Sequence, residues 1–150
     1  MARAIELATE NVRTGRGGPF AAVIVKNGKI IGEGTNLVTS SNDPTAHAEI
    51  MAIRKACEAL GDFQLQDCEI FTTCEPCPMC LGAIYWARPA RVFFASTARD
   101  AARAGFDDSF IYEQMQLRLA ERRIPMIPMM REEARAAWRA WEEKTDKTPY

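Results

Sequence analysis

Apolar residues recur at helical spacing from the start of the chain: Ile5, Ala8 and Val12 share one face of Ala2–Arg13, which predicts a first helix ending at the Gly15-Arg16-Gly17-Gly18-Pro19 break. Phe20–Val25 is an unbroken apolar run rich in β-branched residues. Asn27-Gly28 follows it and Lys29–Thr35 comes next, the signal of an antiparallel hairpin with a type I′ turn. A polar loop, Asn36–Pro44, leads into a predicted helix over Thr45–Leu60, stopped by Gly61 in the C′ position. Cys68–Thr73 reads as a buried strand. Pro76 and Pro78 permit a helix from Cys77 to Ala87, Arg88-Pro89 ends it, and Arg91–Ala95 is the next strand. Beyond a loop through Asp107-Asp108, Phe110–Arg122 reads as helix, Ile124–Met130 as a proline-interrupted edge strand, and Arg131–Lys144 as a last helix.

A hairpin followed by β-α-β-α-β makes an α/β sandwich. No repeat, linker or low-complexity segment divides the chain, so residues 1–150 read as one domain. At that length, with 47% hydrophobic and 26% charged residues, a core is available without disulfides, and disordered, collagen-like and membrane classes are excluded. Met1–Asn11 carries Arg3, Glu6 and Glu10, unlike a secretory segment, and no apolar run reaches the roughly 18 residues that span a bilayer. A cytoplasmic protein is expected.

Charge narrows the partner. Nineteen basic residues stand against twenty acidic ones, which removes the electrostatic footprint of a protein that grips nucleic acid and favours a small neutral or polar substrate. Five cysteines are present, Cys57, Cys68, Cys74, Cys77 and Cys80, three of them crowded together. An odd count in a chain without a secretory segment points to metal or thiol chemistry rather than a disulfide framework.

The chemistry sits in two motifs. His47-Ala48-Glu49 and Pro76-Cys77-Pro78-Met79-Cys80 together spell H-x-E and P-C-x-x-C, the signature of zinc-dependent nucleobase deaminases. Two thiolates and one imidazole bind Zn²⁺ and leave one tetrahedral position for water. Helix N-termini favour thiolates, because the unsatisfied amides there act as partial positive charge. His47 and Glu49 lie about 200° apart around an ideal helix, so they converge on one point only in a first turn approached end-on. Glu49 is then the general acid and base, and not a ligand. A closed structural site with Cys74 as fourth ligand is the alternative, since Cys74, Cys77 and Cys80 repeat every three residues. Cys57 and Cys68 read as inert core, Gly15–Gly18 as a turn and not a phosphate loop, and Trp138 with Trp141 as a packing stripe or subunit contact.

The stretches GGPFAAVIV, SNDPTAHAEIMAIRKAC, TTCEPCPMCLGAIYWARP and AGFDDSFIY resemble the cytidine deaminase superfamily of zinc hydrolases and, within it, the bacterial guanine deaminase family. The resemblance implies a three-layer sandwich, a mixed five-stranded sheet between helices. It implies hydrolysis of guanine to xanthine and ammonia, with His47, Cys77 and Cys80 on Zn²⁺ and Glu49 shuttling protons. Asn36 would meet the purine edge, Phe20 and Trp86 the ring, and Asp108 the 2-amino side. It further implies a homodimer in which the C-terminal segment is exchanged, so that Tyr150 closes the partner's site. Two relatives within the superfamily compete: a tRNA adenosine deaminase, which would need a basic surface, and a cytosine-type deaminase, which would differ only in its pocket. A structural zinc domain would need four permanent ligands.

Overall fold

A computed structural model describes residues 1–150. Helix α1 spans Ala2–Arg13, and β1 (Ala21–Lys26) and β2 (Lys29–Thr35) pair antiparallel around Asn27 and Gly28, both at positive φ, as the I′ signal requires. Strand β3 (Cys68–Cys74) lies antiparallel to β1 on its other side, and β4 (Arg91–Ser96) runs parallel to β3, giving the order β2-β1-β3-β4. The sheet is mixed, with β4 at one edge.

Helix α3 (Ala48–Leu60) is laid on β2 by small residues. Ala48, Ala52 and Ala56, spaced four apart, are fully buried. A Cβ on Gly34 would stand 2.1 Å from the carbonyl oxygen of Ala48, and one on Gly32 would stand 2.6 Å from that of Ala52. Only glycine permits this approach, and it fixes the start of α3 beside the end of β2. The same face holds Ala22, Ile24, Ile70, Leu65 and, from α4 (Pro78–Ala87), Ile84 and Ala87. Each large aliphatic buried there contributes about 1.5–3 kcal/mol. Ala21 and Val23 alternate with Ala22 and Ile24 and so face the other side, where α1 packs with its buried Ala4 and Ala8.

The sheet has four strands, not the five expected. Ile124–Met130 forms none, because Pro125 and Pro128 each remove a ladder donor and no other strand exists in its own unit. The helix expected over Phe110–Arg122 is realised as α6 (Ser109–Gln116) and a 3₁₀ turn at Leu119–Glu121. Two loops carry short helices, α2 (Val38–Ser41) and α5 (Ala98–Arg103), the latter with a Thr97/Asp100 capping box. Helix α3 starts at Ala48 instead of Thr45, since Asp43 Oδ1 accepts from the Thr45 amide at 2.8 Å and its hydroxyl at 2.7 Å and turns the chain there.

The chain divides into two compact units, Met1–Asp108 with the sheet and α1–α5, and Ser109–Tyr150 with α6 and α7 (Arg131–Glu143). No residue of the second unit is buried. Ile124, Ile127 and Met129 are about four-fifths exposed. No helix is long and apolar enough to cross a membrane.

Candidate active site

His47 is the N-cap of α3 and Cys77 the N-cap of α4, each in extended backbone, while Cys80 lies in the first turn of α4. Two helix N-termini thus bring the predicted donors together end-on. The Nδ1 of His47 is 3.5 Å from Cys77 Sγ and 3.5 Å from Cys80 Sγ. A tetrahedral zinc with ordinary Zn–S and Zn–N bonds has S···N edges of about 3.6 Å, so the spacing fits that ion. Cys77 and His47 are half-buried and Cys80 fully buried. A hydrogen bond from Cys80, aided by His47, brings the Cys77 thiol down to about 4. The Cys80 thiol is pushed up by the same bond and by burial, and Cys77 raises His47.

Cys74 stands outside this donor set. Its Sγ points to the Thr97 carbonyl oxygen at 3.7 Å, and burial pushes the thiol up to about 11. Three protein donors without a fourth fit the ligand set of an open metal site better than that of a closed structural one. Glu49, in the first turn of α3, is 6% exposed, and its Oε1 accepts a hydrogen bond from Thr72 at 2.7 Å.

The remaining predicted residues divide. Asn36 directly follows β2: its amide donates to the Phe20 carbonyl at 3.0 Å, and its side-chain Oδ1 accepts from the Val38 amide at 3.4 Å. Phe20 meets Phe106 edge-to-face at 4.9 Å and lines a cavity with Thr73, Cys74 and Ala101. Asp108 is raised chiefly by burial and next by the Cys77 charge, which puts it in the electrostatic neighbourhood of the metal donors. Trp86 lies six residues beyond Cys80 on α4, about 9 Å along the helix, and is 63% exposed. Tyr150 belongs to the second unit and is also largely exposed.

Two polar residues were not marked by the pattern. Thr72 hides inside a strand of apolar and β-branched residues, where a threonine signals nothing beyond β propensity. Asn11, 3% exposed, sits near the end of α1 and donates to the Gly18 and Asn36 carbonyls. Its available signal is an asparagine on the buried face of an amphipathic helix.

Fold and site together define a zinc-binding nucleobase-type deaminase. Residues 1–96 match the family described as the cytidine and deoxycytidylate deaminase zinc-binding region, and the chain belongs to it. More narrowly, it is 58% identical over 148 residues to the guanine deaminase of Bacillus subtilis (strain 168), covering 99% of this chain and 95% of that one. The X-ray structure of a Bacillus subtilis guanine deaminase superposes with a TM-score of 0.97 at the same identity and coverage. A guanine deaminase from Nitrosomonas europaea is 35% identical, with a TM-score of 0.68 over 71% of this chain and 62% of that one. The tRNA-specific adenosine deaminase of Aquifex aeolicus (strain VF5) is 45% identical over 78 residues, 52% of each chain.

Proposed function

We propose that this protein hydrolyses guanine to xanthine and ammonia. One observation carries the reading: likeness to the Bacillus subtilis guanine deaminase runs through 99% of the chain, whereas the Aquifex tRNA deaminase matches 52%. Zinc held by His47, Cys77 and Cys80 supplies a Lewis acid that makes water a nucleophile at neutral pH. The other steps belong to the chain. Glu49 takes a proton from the attacking water as oxygen bonds to C2 and passes it to the neighbouring ring nitrogen, then takes the proton of the new C2 hydroxyl and gives it to the amine as the C–N bond breaks and the C2 carbonyl forms. One guanine and one water leave as one xanthine and one ammonia.

Asn36 offers the purine edge a donor and an acceptor, Asp108 accepts from the 2-amino group, and Phe20 and Trp86 offer aromatic faces. We also infer a cytoplasmic homodimer in which the segment after Asp108 is exchanged. Support comes from the absence of any buried residue in Ser109–Tyr150 and from the outer edge of β4, where Phe93 and Phe94 are exposed beside an unpaired ladder. The apolar Ile124–Met130 of a second copy suits that edge. Tyr150 would then close the partner's site and exclude water.

The test is a side-by-side assay of ammonia release from guanine, cytosine, adenine, cytidine and tRNA. Guanine is expected to be turned over far above the others. Faster turnover of tRNA or cytosine would reassign the protein within its family.

A further inference from the structure

Thr72 and Thr73 lie just before the last residue of β3 and, as neighbours on a strand, point to opposite faces of the sheet. Thr73 Oγ1 accepts the amide of Ala21 at 3.1 Å, which fixes where β1 begins, directly after Phe20. Thr72 is fully buried, and its hydroxyl donates to Glu49 Oε1 at 2.7 Å, across 23 residues of sequence. That length is typical of a hydroxyl held by a carboxylate, the stronger kind of hydrogen bond.

A glutamate in a first helical turn has three side-chain torsions and two equivalent oxygens. Helix geometry alone therefore leaves open which oxygen faces the site and at what angle. The Thr72 bond limits both freedoms by tying Oε1 to the sheet, and a side-chain hydrogen bond between Glu49 and Cys80 keeps the carboxylate beside the metal donors. We propose that Thr72 is the positioning residue of Glu49, its hydroxyl holding one carboxylate oxygen so that the other is presented for proton transfer. This rests on Glu49 being the proton shuttle.

Misplacing a reacting group by about 1 Å costs on the order of 10²-fold. Losing the Thr72 hydroxyl should therefore lower kcat by roughly 10–100-fold while KM moves little, since Thr72 does not reach the base.

The experiment compares Thr72→Val, which keeps the shape and loses the donor, with Thr72→Ser, which keeps the donor and loses a methyl. Four quantities are read in the zinc-loaded protein: kcat and KM for guanine, zinc per chain, and the Kd of 8-azaguanine, an analogue seen bound in a relative 36% identical to this chain. Expected are a low kcat with unchanged zinc and Kd in Thr72→Val, and a kcat within about threefold of the parent in Thr72→Ser. If Thr72→Val does not fold, Thr72→Ala against Thr72→Ser makes the same comparison of donor and no donor. A kcat that follows side-chain shape and ignores the hydroxyl overturns the proposal, as does a loss confined to zinc content or to Kd. Glu49→Gln, measured alongside, separates the two levels. Full activity there removes the shuttle itself, whereas an inactive Glu49→Gln with a fully active Thr72→Val removes only the positioning role.

Discussion

Asn11 Nδ2 donates to the carbonyl oxygen of Asn36 at 2.8 Å and to that of Gly18 at 3.0 Å, tying the end of β2 to the loop that leads into β1. The segments flanking β1 and β2, with Phe20 just before the one and Asn36 just after the other, are clamped by one buried amide. Gly17 completes the clamp, because a Cβ there would lie 2.0 Å from the same Asn36 oxygen. The run Gly15–Gly18 is more than a turn. In Asn11→Ala the Asn36 carbonyl loses this donor, at a cost of about 1–3 kcal/mol where it stays buried, while the Gly18 carbonyl keeps the Phe20 amide at 2.8 Å. The midpoint of urea unfolding should fall, and KM for guanine should rise more than kcat falls, with zinc retained. Parent-like stability and KM would remove the clamp.

Zinc removal should abolish turnover in proportion to the metal lost, because three protein ligands leave no substitute for the ion. Dialysis against a chelator, followed by metal analysis and assay of the same samples, checks this. Activity that outlasts complete zinc removal contradicts the mechanism.

Glu49→Gln preserves volume and the Thr72 contact but cannot carry a proton. Its kcat should fall by roughly 10²–10⁴-fold, with zinc content and thermal midpoint unchanged. Zinc loss in this variant would instead make Glu49 a ligand.

Cys74 and Cys77 should part company. Cys77→Ser removes one of three donors and should release zinc. Cys74→Ala loses only a weak contact to Thr97 and some buried volume, so one zinc per chain should remain, at a stability cost of about 1 kcal/mol. Zinc loss from Cys74→Ala would restore the closed Cys₃His site.

The exchanged segment is tested by complementation. Removing Thr148–Tyr150 should impair guanine turnover with zinc intact. Mixing those chains with Glu49→Gln chains should recover part of the activity, since some hybrid dimers join an intact Glu49 site to an intact tail. Impairment without recovery in demonstrably mixed dimers would mean that each tail serves its own subunit.

The sequence alone determined whatever neighbouring residues encode. The Asn27-Gly28 hairpin, the helix ending at Leu60, the helix opened by Pro78 and the H-x-E and P-C-x-x-C motifs are local patterns, and each element formed within a few residues of its expected place. The three metal donors were legible for the same reason: each motif lies within one helical turn of a helix start. Tertiary structure decided what depends on distant partners. Thr72 meets Glu49 across 23 residues and Asn11 meets Asn36 across 25, contacts that leave no periodicity to read. Cys74 shares the spacing of Cys77 and Cys80 yet ends a strand, and its sulfur turns to Thr97 instead of the metal donors. The expected fifth strand failed on the same ground: apolar pattern marks Ile124–Met130 as a candidate, but a strand exists only where a neighbour accepts its hydrogen bonds, and none lies within its own unit.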